Sequence, residues 1–362
     1  MSATATFRQG VFYAFVDIFL PYYVASRSLK NMAEFRDALM AFSVAAMIMA
    51  VVGMFEFVRH WLIYSPLQGA WGVKWGLGGY LGRGEVLRAQ ASTGHPIALG
   101  YVMVVSLGFF AFLRKSVPNL QSWRLGLAVL VGGLVAPVSR GPWTGAVAMI
   151  MVFIALSPSP SKGLMRIALL GFVAIPILMI IPGGNSVIET IPFLGAGETK
   201  NLTYRQRLLE VSLQVILQNP FFGTHDFMRL PIMQQLIQGE GIIDLVNTYV
   251  GIGLANGLVG VSLFAGTFLV IVVGILKTMR IHGDKNSESY LLGQVLVAVI
   301  VGIMATIFTT SSISIIPTVY WSVLGLGVGY MSLRDYGLVN ENLSETRGRN
   351  SLNIKRGSYT SA

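Results

Sequence analysis

The sequence contains no cysteine among its 362 residues. Without thiols the chain can form no disulfide and no thiolate metal site, so nothing in it depends on the redox state of its compartment. It also has only four histidines, and it offers no histidine pair and no D-x-D pattern of the kind that holds a divalent metal. The sequence therefore predicts neither a bound metal nor another cofactor.

Charged residues are scarce as well. They make up 12% of the chain, against 54% hydrophobic residues, and the mean hydropathy is +0.66. A soluble domain of this length would have too few polar residues to cover its surface. The composition therefore predicts a protein whose surface faces lipid.

Long uncharged runs indicate where the chain crosses the membrane. The strongest are about 17 to 22 residues long, the length that an α-helix needs to span hydrocarbon. They begin near Leu39, Ile97, Leu125, Ile167, Leu258 and Leu291. Weaker candidates are Gly10 to Ala25, Gly145 to Leu156 and Ile315 to Leu333. We expect an all-α polytopic membrane protein with about nine transmembrane helices and one large periplasmic loop that contains an amphipathic helix.

The formal net charge of +10 does not indicate a nucleic-acid partner, because the basic residues flank the spans instead of forming one soluble patch. They concentrate at Arg27 to Arg36, Arg114 to Arg124, Lys162 to Arg166, Lys277 to Lys285 and in the tail from Arg334. The positive-inside rule predicts that these segments are cytoplasmic. The same rule places Met1 outside, so we expect an odd number of upstream spans to be missing from this form of the chain.

The alternate connections then face outward. They are Arg59 to Thr93, Ser139 to Pro142, Gly183 to Ile243 and Thr309 to Ser314. Positive charge is disfavoured on that side, yet these loops contain Arg59, Lys74, Arg83, Arg88, Arg140, Lys200, Arg205 and Arg207. An anionic ligand would explain their presence. The chain thus divides into transmembrane helices at 1–182, a periplasmic loop at 183–243, transmembrane helices at 244–333, and a basic cytoplasmic tail at 334–362 that we expect to be disordered.

An amphipathic helix is predicted from Thr203 to Asn219 within the large outward loop. Its apolar stripe is Leu209, Leu213 and Ile216, and its polar stripe is Arg207, Glu210, Gln214 and Gln218. Arg205 precedes Leu209 by one turn and should therefore leave the helix on the apolar side and be buried. Arg207 should point the other way, into water.

Four segments carry a resemblance to a known family. They are Y-R-Q-R-L-L-E-V-S-L-Q-V-I-L-Q-N-P-F-F-G from Tyr204 to Gly223, D-L-V-N-T-Y-V-G-I-G-L-A-N-G-L-V-G-V from Asp244 to Val261, S-R-G-P-W from Ser139 to Trp143, and R-A-Q-A-S-T-G-H-P-I-A-L-G from Arg88 to Gly100. With the topology, they resemble the O-antigen ligase and polysaccharide polymerase family of bacterial membrane enzymes. The resemblance covers most of the chain from about Asp17 to Tyr330.

This resemblance implies a metal-independent membrane glycosyltransferase of the bacterial inner membrane. Such an enzyme transfers a glycan from a polyprenyl diphosphate-linked donor to a glycan or lipid acceptor at the periplasmic face. The ligases carry a histidine immediately before the asparagine of the second segment, and here that position is Val246, followed by Asn247. This departure favours a polymerase or transferase of exopolysaccharide or O-antigen repeat units over a lipid A core ligase.

Arg140 and Arg205 are the arginines we expect to stabilise the departing diphosphate, since a guanidinium binds phosphate oxygens through a planar fork. Arg88, Arg207 and Asn247 are expected to contact substrate. For the base that activates the acceptor, the candidates are Asp244, Asp226, His225, Glu198 and His95. Asp244 is the one we assign to catalysis, and the phosphate oxygens themselves are an alternative proton acceptor.

Other interpretations remain open at this point. Arg140 could anchor a helix end by reaching the membrane interface, while His95 and Asn247 could simply cap helices. Asp17 should face the bundle interior near an arginine or mark a half-buried helix. The whole chain could instead be an O-antigen ligase, a bicarbonate-like anion transporter or a noncatalytic membrane subunit, although it shows no internal repeat of the kind found in transporters.

Overall fold

The computed structural model describes residues 3–70, 80–83, 86–165, 169, 199–237, 243–282 and 284–333. Several sequence predictions lie outside these residues: most of the span near Ile167, Lys74, Glu198, much of the periplasmic loop and the tail at 334–362. Their outcome is therefore not addressed by the fold described below.

The described residues are almost entirely helical. The helices are α1 Ala3–Tyr13, α2 Leu20–Ser28, α3 Met32–Arg59, α4 Ser65–Ala70, α5 Pro96–Phe112, α6 Leu120–Val135, α7 Arg140–Ala155, α8 Thr199–Gln218, α9 Pro231–Gln234, α10 Thr248–His282, α11 Glu288–Phe308 and α12 Ile316–Leu333. Residues 160–165 are also helical. Two short strands, β1 Gly82–Arg83 and β2 Val86–Leu87, pair antiparallel ahead of α5.

Five helices in the described part of the chain are long and apolar enough to cross a membrane: α3, α5 with its extension to Lys115, α10, α11 and α12. Helices α6 and α7 are apolar but have 16 residues each, about 24 Å at 1.5 Å per residue. The protein is therefore a multi-pass membrane protein. The expectation of about nine spans is not confirmed by these helices.

The first predicted span is interrupted. A π-helical segment, Ala14–Phe19, separates α1 from α2 and contains Asp17. The Asp17 carboxyl is half-buried and accepts a hydrogen bond of 3.4 Å from the Thr318 hydroxyl on α12. The structure thus gives Asp17 a threonine hydroxyl as its hydrogen-bond donor, in a segment without fully buried residues.

Helices α5 and α11 form the centre of the bundle, and their apolar side chains are mostly buried. Helix α7 packs closely on α11 through small residues, because a Cβ added at Gly145 would lie 2.6 Å from the carbonyl oxygen of Gly302. Helix α10 is the opposite case. Most of its apolar surface is exposed, so it faces the lipid.

The two ends of the bundle differ in chemistry. At one end, called here the site face, the C-terminal ends of α3, α6 and α11 meet the N-terminal ends of α5, α7, α10 and α12. At the opposite face Arg36 pairs with Glu288 at 3.0 Å, and Arg114 lies over the Trp123 ring. The basic connections between the described spans lie at that opposite face, which the positive-inside rule predicts to be cytoplasmic.

We predict that Gly145→Val lowers the free energy of unfolding by about 1–3 kcal/mol, since the added methyl groups have no space against α11. Thermal unfolding of the detergent-solubilised protein measures the effect. Gly266→Val is the control, because a Cβ at Gly266 meets no atom within 4 Å. Equal melting temperatures for the two variants would contradict the close packing of α7 on α11.

Candidate functional site

The connection between α11 and α12 is the centre of the site face. Every residue from Thr309 to Ser314 except Ile313 carries a hydroxyl group. We call this segment the hydroxyl turn. The carbonyls of Thr309 and Thr310 come directly after the last turn of α11, where a helix has no intrahelical donors left. Other elements of the chain supply those donors.

Helix α8 supplies the first donor. The Arg205 guanidinium donates to the carbonyl oxygen of Thr309 at 3.5 Å. Its neighbour Tyr204 donates through its hydroxyl to the carbonyl oxygen of Asp244 at 3.2 Å. Ser311 in turn donates to the Asp244 carboxyl at 3.5 Å and to the carbonyl oxygen of Leu245. Arg205 and Asp244 are thereby brought to the same part of the hydroxyl turn.

The first turn of α10 supplies two more donors. The backbone N–H of Thr248 donates to the carbonyl oxygen of Thr310 at 3.1 Å, and the Thr248 hydroxyl donates to the same oxygen at 2.9 Å. The Asn247 side chain caps this helix by accepting from the N–H groups of Tyr249 at 2.9 Å and Val250 at 3.2 Å. Asn247 therefore orients α10, which is the capping interpretation offered by the sequence.

Helix α7 approaches the hydroxyl turn from the other side. A Cβ added at Gly141 would lie 2.5 Å from Cγ2 of Thr310 and 2.9 Å from Oγ1 of Thr309. Arg140 is half-buried and begins this helix. Gly141 lies in the first turn of α7, so the positive, N-terminal end of the helix dipole lies against the same threonines. The N-terminal end of α7, where Arg140 lies, and Arg205 of α8 thus meet at Thr309 from two helices.

Arg88 has a mainly structural role in these contacts. Its guanidinium donates to the carbonyl oxygen of Pro137 at 3.1 Å and to the Ser139 hydroxyl at 2.8 Å. These bonds join the segment before α5 to the turn that precedes Arg140. The substrate contact expected of Arg88 stays a prediction, and the structure shows that Arg88 also joins the segment before α5 to the α6–α7 turn.

A buried carboxyl group on α3 holds the segment that carries Arg88. Glu56 is 1% exposed, and its oxygens accept from the N–H groups of Gln90 at 2.9 Å, Ala91 at 2.8 Å and Ile63 at 3.2 Å. The next residues are fixed by Ser314, whose hydroxyl donates to the carbonyl oxygen of Thr93 at 2.6 Å. The position of Arg88 therefore depends on a side chain 32 residues upstream in the sequence.

Among the described residues, four non-glycine residues at the site face lie in the left-handed region of backbone conformation. The φ angles are 52° at His60, 45° at Ala91, 46° at Val138 and 53° at Ser314. Such conformations cost about 1–3 kcal/mol each and persist only where the surroundings enforce them. Strain concentrated around one polar cluster is typical of a functional site.

His95 caps α5, as one interpretation of the sequence proposed. Its Nδ1 accepts from the N–H of Ile97 at 3.2 Å. Burial, and secondarily the positive charge of Arg88, lower the pKa of His95 from 6.5 to about 4. The ring is therefore neutral at physiological pH with its proton on Nε2, which makes His95 a hydrogen-bond donor to any ligand and not a general base.

The placement of α8 differs from the sequence prediction. The residues that pack on the protein are Leu208, Val211 and Val215, while Leu209 and Leu213 are 47% and 49% exposed. Arg205 and Arg207 are both exposed. The prediction of a buried Arg205 is wrong, because the apolar stripe that includes Leu209 is not the side of the helix that faces the protein core.

Two base candidates lie away from the hydroxyl turn. His225 and Asp226 are exposed in the connection after α8, where the N–H of Thr224 donates to the carbonyl oxygen of Leu254. Among the residues that the structure describes, no group of three or more His, Asp or Glu side chains could hold a metal ion. Arg205, Asp244 and the hydroxyl groups are the polar side chains that meet at the hydroxyl turn.

Sequence reasoning missed the hydroxyl turn, Tyr204 and Glu56 as parts of this site. The sequence did contain a signal for the turn, because a run of hydroxyl residues between two apolar spans is not explained by apolar packing. The signal for Glu56 was also present, since a carboxyl near the end of a span requires donors. Nothing in the sequence indicated the hydrogen bond from the Tyr204 hydroxyl to the carbonyl oxygen of Asp244.

Comparison with known proteins supports the family resemblance. The model of a family described as O-antigen ligase matches residues 125–265. That range includes Arg140, Arg205 and Asp244, but it excludes Arg88 and the hydroxyl turn. No curated protein matches the chain. The resemblance to the O-antigen ligase and polymerase family is thereby confirmed.

We predict that Glu56→Gln releases the segment before α5, since an amide nitrogen would face backbone donors and the lost bonds are worth about 2 kcal/mol. Hydrogen exchange at the amides of Gln90 and Ala91 should accelerate by roughly 30-fold. Glu34→Gln is the control, because Glu34 caps the far end of the same helix. Unchanged exchange at both amides in the Glu56 variant would contradict this role.

We predict that the His95 ring stays neutral down to a pH of about 4 and that Arg88→Gln raises its pKa toward 6.5. Because the unfolded chain binds this proton more readily, the free energy of unfolding should fall as the pH drops from 6.5 to about 4. Histidine-labelled NMR spectra measure the pKa, and His95→Asn identifies the signal while retaining a cap. Titration of His95 near 6.5 in the native protein would contradict its burial.

Proposed function

We propose that this membrane protein polymerises or transfers polyprenyl diphosphate-linked oligosaccharide repeat units at the periplasmic face, because residues 125–265 match the model of a family described as O-antigen ligase. The family acts on lipid-linked glycan donors and acceptors. The observation that carries the proposal is that Arg205 and Gly141, the residue directly after Arg140, both lie against Thr309 of the hydroxyl turn.

In the proposed reaction an acceptor hydroxyl oxygen attacks the anomeric carbon of the donor sugar. The bond from that carbon to the phosphate oxygen breaks, and the diphosphate leaves with the bonding electrons. Two guanidinium groups can stabilise this charge at any physiological pH, because arginine stays protonated and its fork matches phosphate oxygens. Arg140 would contact the diphosphate on one side, where the N-terminal end of α7 also favours negative charge. Arg205 would contact it on the other side.

Asp244 is the proposed acceptor of the hydroxyl proton. Its carboxyl is exposed and accepts a hydrogen bond from Ser311. Ser311 belongs to the hydroxyl turn, which Arg205 also contacts. Val246, which stands where the ligases carry a histidine, packs with the buried Leu208 of α8 and can accept no proton. This difference favours repeat-unit polymerisation over ligation to a lipid core.

We predict that Arg205→Ala lowers the rate of glycan transfer by about 100-fold or more, as expected when one donor to a developing anion is removed. Arg205→Lys should recover part of the rate, since a lysine retains the charge without the fork. The assay uses purified protein with a polyprenyl diphosphate-linked repeat unit, and a ladder of products reports polymerisation.

Arg229→Ala is the matched control, because Arg229 is also an exposed arginine of the same outward segment and has no assigned role. Equal ladders from the Arg205 and Arg229 variants would remove Arg205 from the reaction. A single shifted product that requires an added acceptor would identify a ligase. Ion flux in liposomes without either product would favour transport instead.

A further inference from the structure

Helix α8 presents three different faces. One face packs on the protein through Leu208, Val211 and Val215, which are at most 8% exposed. A second face is polar and carries Arg207, Glu210 and Gln214, all exposed. The third face is apolar and largely exposed. It consists of Leu209, Leu213 and Leu217, which we call the leucine stripe, with exposures of 47%, 49% and 73%.

The connection after α8 continues this apolar surface. Phe221 and Phe222 are 65% and 78% exposed, and we call this pair the phenylalanine wedge. Two large aromatic side chains at adjacent positions, directly beyond an exposed leucine stripe, form a contiguous apolar patch. A patch of this kind on a protein marks a surface that meets another apolar phase.

The phenylalanine wedge is attached to the lipid-facing helix α10. The N–H of Leu258 donates to the carbonyl oxygen of Pro220 at 2.8 Å, and the N–H of Val259 donates to that of Phe221 at 3.2 Å. Gly257 makes this approach possible, because its φ is 63° and an added Cβ would collide with the backbone of Phe221. The wedge is therefore fixed at one height along α10.

That height follows from the length of α10. Leu258 lies about 19 residues before Lys277, which is about 29 Å at 1.5 Å per residue. The hydrocarbon core of a bilayer is about 30 Å thick, and Lys277 begins the basic end of the helix. Between them Leu263, Leu269 and Val270 are 61% to 70% exposed, as expected of a lipid contact. Leu258 and the attached wedge thus lie at the far hydrocarbon boundary.

We propose that the leucine stripe and the phenylalanine wedge insert into the bilayer at the boundary between headgroups and acyl chains on the site face. The partner is the lipid itself, because the apolar patch is continuous with the lipid-facing surface of α10 at that depth. An interfacial helix with one apolar and one polar face is the structure expected there. This inference does not depend on glycan transfer.

The insertion also explains where Arg205 lies. Arg205 precedes Leu208 by three residues and Leu209 by four, so it lies on the border between the face packed on protein and the leucine stripe. With the stripe in lipid, its guanidinium is held at headgroup depth beside the hydroxyl turn. A phosphate at the surface of the same membrane would be at the same depth.

Single-cysteine spin labelling of the full chain tests the proposal, since the natural sequence has no cysteine to remove. The variants are Leu213→Cys and Phe222→Cys, with Gln214→Cys as the matched control on the polar face of α8. Each nitroxide-labelled protein is reconstituted at low density in vesicles of phosphatidylethanolamine and phosphatidylglycerol. The collision rates with oxygen, which partitions into lipid, and with a water-soluble nickel chelate are then compared.

The expected result is a ratio of oxygen to nickel collisions that is severalfold higher at Leu213→Cys and Phe222→Cys than at Gln214→Cys. Equal ratios at the three positions would overturn the proposal, because they would mean that the patch is in water. Dipolar broadening between labels at Leu213→Cys would also overturn it, since a second copy of the chain would then cover the stripe. All three positions are exposed, so the labels can be accommodated without repacking the core.

Discussion

The carbonyl groups at the C-terminal end of α11 are the groups on which the whole site face depends. A helix end has carbonyls without intrahelical donors, and a membrane bundle cannot leave them to lipid. Here Thr310 is satisfied by the N–H and hydroxyl of Thr248, and Thr309 by Arg205. One requirement for hydrogen bonding therefore brings α8, α10 and α11 together, although they are far apart in the sequence. The polar cluster is a consequence of closing the bundle at that end.

Arg88 and Arg205 differ in how strongly their guanidinium groups are already hydrogen-bonded to the protein. Arg88 donates to Pro137 and Ser139 at short distances, so much of its hydrogen-bonding capacity already serves the turn before α7. Arg205 makes one long bond of 3.5 Å from an exposed side chain. An exposed guanidinium with few hydrogen bonds to the protein is the better candidate for a ligand contact. Binding an anion through Arg88 would require breaking its shorter hydrogen bonds, and this cost would offset the binding free energy gained. The structure therefore ranks Arg205 above Arg88, in the same order as the sequence, but for a different reason.

Sequence patterns predicted the membrane class, the positions of α3, α5, α10, α11 and α12, and the helix that became α8. Long apolar runs and their basic flanks are local signals, which is why they could be read without a structure. The sequence could not show which side of α8 is buried, because Leu208 and Leu209 both begin apolar stripes. Which stripe is buried depends on how the helix packs against the rest of the protein. Glu56 and the hydroxyl turn could not be linked to Arg88 or Arg205, since the contacts join residues that are distant along the chain. The motifs identified which residues matter, and tertiary contacts determined how they are arranged.

The depth of the site in the membrane also limits the chemistry it can perform. In the proposed arrangement Leu258 lies at the hydrocarbon boundary, and its hydrogen bond to Pro220 holds the end of α8 at the same level. A lipid-linked diphosphate presents its charge at this level, so it would need no extraction from the bilayer to meet Arg205. In the proposed reaction the acceptor sugar arrives instead from water, to which Asp244 is exposed. In the proposed reaction the donor and acceptor therefore come from different phases, and the hydroxyl turn lies where the two phases meet.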